Sequence, residues 1–186
     1  MSSDNPTGAD DQQERPRATA WLDAIPHDVG YYIAGFVDGE GSFNVPIRRA
    51  RDRGLPFRVG LSFNVSQVGP DQPTWLRDVL EVGTVRGRGD GIFYYEVTSP
   101  AELEEQVFPF FDRFRLRGPK ARDLEIFREI TMHIRQGAHR TPEGIRRIVE
   151  LRSPMNRGGK RVRSDQAIRD VLELWESSEA IRRAPH

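Results

Sequence analysis

Two acids stand among glycines in the stretch YYIAGFVDGEGSFNV, residues 31 to 45: Asp38 and Glu40, flanked by Gly39 and Gly41. The stretch opens as an apolar helix and closes as a strand, so the carboxylates fall where a buried helix stops. Local physics supports two readings. In the first, the glycines supply positive φ for a helix stop and the acids are solvated. In the second, a carboxylate at the negative end of the helix dipole gains from a cation beside it. Hard divalent ions such as Mg²⁺ take carboxylate and carbonyl oxygens, often with substrate phosphate completing the shell. That reading would put phosphate chemistry at Glu40. The basic residues are nearly all Arg, with Lys only at 120 and 160, so each Lys is a position to inspect.

The surrounding elements must carry this junction. Residues 1–20 are polar, Pro-containing and without period, which predicts a disordered tail. A short buried helix follows from His27 or Asp28, either of which could cap it. The period then changes to two. Phe43, Val45 and Ile47 alternate with polar neighbours, as do Val59, Leu61, Phe63 and Val65, giving two strands of a long-looped hairpin. Trp75, Leu76, Val79 and Leu80 mark a helix, and a second hairpin runs through GTVRGRG and IFYYEV. A further helix carries Leu103, Val107, Phe110 and Phe114 on one side, with Ser99 as cap. The order αββαββα predicts an α+β domain with an antiparallel sheet. A core over 21–136 is followed by a helical extension over 137–186, which contains a basic loop at 152–163.

The 28 basic and 28 acidic side chains cancel, but they are unevenly placed. Eight acids against Arg15 and Arg17 occupy residues 1–40, and three basic clusters follow. That asymmetry suits a polyanion-binding face. The outward strand positions Asn44, Arg48, Arg58, Asn64, Arg86 and Arg88, with Tyr94 and Glu96, offer the hydrogen-bonding groups that read base edges, and a two-stranded ribbon fits the major groove. A metal at the edge of a DNA-binding sheet implies phosphodiester cleavage. There is no Cys, which removes disulfides and thiolate sites. No apolar run is long enough for a bilayer, so no membrane partner is expected. His27, His133, His139 and His186 lack metal-ligand spacing.

IAGFVDGEGSF resembles the signature of the LAGLIDADG homing endonucleases, matching it through Ala34, Gly35, Asp38, Gly39 and Gly41. LSFNVSQ, VGTVRGRG and FDRFRLRGPKARDLEIF fall where that family has corresponding segments. The resemblance implies the family's saddle-like sheet. It also implies catalytic roles for Glu40, Gln67 and Lys120, and metal binding by Glu40 with the Gly39 carbonyl. Asp38 would support the helix end, and Arg117 replaces Lys120 if the register slips. Gly35 and Gly39, with Asp38, would lie on a helix that packs against its copy. One motif per chain then implies a homodimer on a pseudo-palindromic duplex. Two or three Mg²⁺ ions per dimer and short 3′ overhangs are implied too. Such an enzyme would promote intron mobility, in a bacterial cytoplasm at the nucleoid or in an organelle. An intron RNA maturase and a DNA-binding regulator are the alternatives on this scaffold, and keeping Glu40, Gln67 and Lys120 together argues against the regulator and weakens the maturase.

Overall fold

The computed structural model describes residues 20–50, 54–155 and 164–183. The expected tail and residues 156–163 of the basic loop lie outside the described residues. After a single turn, α1 (Ala20–Asp23), helix α2 (His27–Glu40) leads directly into β1 (Gly41–Asn44). Pro26, not a capping side chain of His27 or Asp28, precedes the first turn of α2. Then come β2 (Ile47–Arg49), β3 (Phe57–Val59) and β4 (Ser62–Val68), followed by α3 (Asp71–Leu80), β5 (Thr84–Gly87) and β6 (Ile92–Val97). Four of these strands form an antiparallel sheet in the order β1-β4-β6-β5.

The expected first hairpin is present, but it breaks. β2 and β3 form their own two-stranded ribbon, separated from the sheet at Val45–Pro46 and Gly60–Leu61. Pro46 has no N–H to donate to a ladder, and its carbonyl accepts the Gly60 N–H at 2.9 Å, which bridges the break. Arg48 and Arg58 therefore belong to the ribbon and not to the main sheet, where the sequence pattern places them. They stand directly opposite one another, both exposed.

The helix over 100–113 also departs from regularity. Ser99 accepts the Glu102 N–H as expected, and α4 (Pro100–Glu102) passes through a π-type stretch, Leu103–Val107, into α5 (Phe108–Arg113). Pro109 lies just beyond that stretch. A wider turn there relieves the clash that a proline ring makes with the carbonyl four residues back.

One face of the sheet carries the core. Phe43 and Phe63 are opposite on neighbouring strands and stack at 5.1 Å, and Phe111 meets both edge-on at 6.0 and 5.8 Å. Tyr95 lies in the same layer, where burial pushes its hydroxyl pKa up, with Glu102 adding to the shift. α6 (Lys120–Arg135) contributes Leu124, Phe127 and Ile130. The C-terminal helices α7 (Pro142–Arg152) and α8 (Asp165–Arg183) join this same cluster through Ile145, Ile148, Val149, Ile168 and Leu172.

Arg152 fastens that extension to the sheet. Its Nη1 donates to the Val45 carbonyl at 2.7 Å and its Nη2 to Asp165 Oδ1 at 2.7 Å, with the two side chains only 8% and 10% exposed. Removing one partner strands a buried charge, which is far costlier than losing a surface pair. Arg152→Ala is expected to lose about 3–5 kcal/mol in urea unfolding.

Candidate active site and nucleic-acid interface

The end of α2 gathers the groups that the sequence singles out. Neither Gly39 nor Gly41 has positive φ, so the glycines do not stop the helix in the way the first reading expects. Gly41 is extended at φ −71°, and a Cβ there would lie 2.6 Å from Val37 Cγ1 and 2.8 Å from the Val37 carbonyl. Glycine at 41 thus lets the chain turn tightly from helix to strand. Glu40 is exposed at that corner, and among the described residues no cation pairs with it.

Asp38 turns the other way. Its Oδ2 accepts the backbone N–H groups of Arg117 at 2.7 Å and Gly118 at 2.9 Å, tying α2 to a segment about eighty residues later. Oδ1 is buried with no hydrogen-bond partner. Gly118 fits tightly against it, since a Cβ would come within 3.0 Å of Oδ1. Asp38→Ala is expected to cost about 1–3 kcal/mol, from two N–H groups left unpaired. Faster amide exchange at Arg117 and Gly118 is the measurement that checks it.

Of the two basic candidates, Lys120 is the one whose side chain reaches the end of α2. Its Nζ donates to the Asp38 carbonyl at 3.0 Å and the Gly39 carbonyl at 2.9 Å, while the Arg117 side chain is exposed beside Tyr31, Gly35 and Arg115. Gln67 comes near by strand register. β4 runs on past Val65, the partner of Gly41, so Gln67, two residues further, lies on the overhang beside the α2–β1 corner and on the same face as Phe63 and Val65.

The opposite face of the sheet is polar. Arg86 Nη2 donates to Glu96 Oε2 at 2.9 Å, and Ser62 Oγ donates to Glu96 Oε1 at 2.7 Å. Asn64 Nδ2 donates to Ser62 Oγ at 3.0 Å, and Asn44 Nδ2 to Ser42 Oγ at 2.9 Å. Both Glu96 oxygens are therefore engaged, and the residue aims Arg86 instead of projecting freely toward a base. Arg88 donates to the Tyr94 hydroxyl at 2.8 Å, and that contact is the main cause holding the guanidinium above its usual pKa. The sequence singles out these residues but not their pairing, which depends on cross-strand register.

The corner fits a hard divalent cation as a partial shell. It supplies one unneutralised carboxylate and the terminal carbonyls of a helix, which are the oxygen donors such ions take. Among the described residues no group of three or more His, Cys, Asp or Glu comes together, so further ligands would come from phosphate, water or a second copy.

On α2 itself the outward side carries Tyr31 and Tyr32, 50% and 55% exposed, with Gly35 and Gly39. A Cβ at either glycine meets nothing within 4 Å, whereas at Gly30, on the inner side, it would meet the Phe114 ring at 2.3 Å. No helix of the described residues is long and apolar enough to cross a membrane.

A helix ending in two acids, an antiparallel sheet with one polar face and a lysine returned to the helix end define a LAGLIDADG-type architecture. Residues 33–131 match the LAGLIDADG endonuclease profile, and the chain belongs to that family. It is similar to "Probable intron-encoded endonuclease 3" of Neurospora crassa, 29% identical over 131 residues, which are 67% of this chain and 24% of that one. The meganuclease I-SmaMI bound to DNA superposes with a TM-score of 0.66 at 28% identity, covering 73% of this chain and 46% of that one. The homing endonuclease I-TnaI gives 0.66 at 29% identity, covering 78% and 96%. The chain thus spans about a quarter of the Neurospora protein, about half of I-SmaMI and nearly all of I-TnaI.

Proposed function

We propose that the protein is a metal-dependent homing endonuclease that works as a homodimer, cutting both strands of a long pseudo-palindromic DNA site. The observation that carries this reading is the corner itself. An unpaired Glu40 carboxylate sits beside helix-end carbonyls, next to a sheet whose outward face is lined with Arg, Asn and Ser. The open glycines of α2 support pairing with a second copy, because small residues on a helix allow close backbone approach.

In this reading Glu40 and the Gly39 carbonyl hold Mg²⁺, with two or three ions shared by the dimer. The ion would supply charge neutralisation at the scissile phosphate and make water a stronger nucleophile. Gln67 orients that water from the β4 overhang, and Lys120 stands where negative charge develops. Asp38 keeps the helix end and the Lys120 segment in register. On the sheet, Arg86, Arg88, Asn44 and Asn64 read base edges, Tyr94 and Glu96 aim the two guanidiniums, and Arg48 and Arg58 grip phosphate. The reading also takes the short 3′ overhangs and intron mobility that the family resemblance implies, in a bacterial cytoplasm or an organelle.

The test is selection from a randomised duplex pool in Ca²⁺, followed by exchange into Mg²⁺ and sequencing of the ends. A pseudo-palindrome cut near its centre is the expected result. A site bound but never cut, or preference for intron RNA, would overturn it.

A further inference from the structure

Lys120 is the first residue of α6, where the helix dipole is positive and a cation is disfavoured. The placement is offset by the opposite end of another helix. The ammonium sits on the last carbonyls of α2, at 3.0 Å from Asp38 O and 2.9 Å from Gly39 O, where the dipole is negative and the helix leaves carbonyls without partners of their own. Lys120 is thus the cation that satisfies the end of α2.

The Gly39 carbonyl is also the oxygen that a divalent ion beside Glu40 would take. Two cations on one carbonyl oxygen repel each other, and the corner has one unpaired carboxylate to offset them. We propose that Lys120 is a resident cation that exchanges with the divalent metal at the Gly39 carbonyl. In the metal-free protein the ammonium holds the α2–β1 corner in its working shape and keeps metal affinity low. When metal enters, the ammonium leaves Gly39 O. Nζ still has the Asp38 carbonyl within reach, so the lysine need not leave the corner to release the ligand. Freed of one acceptor, it is available to a phosphate oxygen as the corner becomes loaded. This rests on the metal-binding reading of Glu40.

The test needs no DNA and no turnover. Mn²⁺ binding to the full chain is followed by the loss of the free-ion paramagnetic resonance signal, in the wild type, Lys120→Met, Lys120→Gln and Glu40→Gln. Removing the competing charge is expected to tighten Mn²⁺ binding about tenfold in both neutral variants. Their metal-free thermal midpoints are expected to fall, and saturating Mn²⁺ to recover most of the difference. Lys120→Gln retains a neutral donor for the two carbonyls and guards against a folding defect in Lys120→Met. Mn²⁺ affinity that is unchanged, weaker or absent in the neutral variants overturns the exchange. Glu40→Gln reports separately on the metal site: binding that survives this change removes the reading of Glu40, whatever the lysine variants do.

Discussion

Glu40→Gln is expected to lower double-strand cleavage by about a thousandfold or more while leaving duplex affinity within about threefold, because in the proposed reading the carboxylate holds the metal at the reacting phosphate and lies off the DNA-binding face. The substitution keeps shape and removes charge. Glu40 is exposed and supports no other described side chain, so the fold has nothing to lose. Filter binding in Ca²⁺ and cleavage in Mg²⁺, run on the same duplex, separate the two effects. Cleavage at the wild-type rate would mean that the metal is held elsewhere.

A pair of substitutions on α2 gives the second large effect. Gly30→Leu is expected to unfold the protein or cost about 3 kcal/mol or more, since even a Cβ at that position would penetrate the Phe114 ring. Gly35→Leu meets open space and replaces a poor helix former, so the isolated chain should keep or gain about 0.5–1 kcal/mol. Self-association is expected to drop at least about a hundredfold in Gly35→Leu, measured by sedimentation, and cleavage to fall with it. A Gly35→Leu protein that still dimerises and cuts would show that this face is not the dimer interface.

What could be read in the sequence was mostly local. The corner is announced by eleven consecutive residues, and Lys120 by its scarcity among arginines. The partners of Asp38 could not be read, because they are backbone N–H groups 79 and 80 residues away, and an N–H has no residue type. Arg152 was equally hidden. In a cluster of basic residues it resembles solvated surface, yet the fold buries it between a strand carbonyl and Asp165. Glu96 and Arg86 were visible as outward strand positions, but which of them aims the other follows from register alone. The glycines at 39 and 41 looked conformational, yet neither has positive φ: Gly41 is required sterically, pressed on Val37, and Gly39 is open to solvent.

The interruption at Pro46 and Gly60 makes the ribbon a separable module. Arg48 and Arg58 stand opposite one another on it, two exposed guanidinium-bearing positions on one rung. The ribbon is joined to the sheet through two short connections, and the α2–β1 corner, the proposed catalytic site, lies at the far end of β1. In the proposed reading, a lineage whose target drifts in its outer base pairs can therefore follow that drift by exchanging residues in the ribbon alone. The corner inherits none of those changes, so new addresses can be acquired without relearning how to cut.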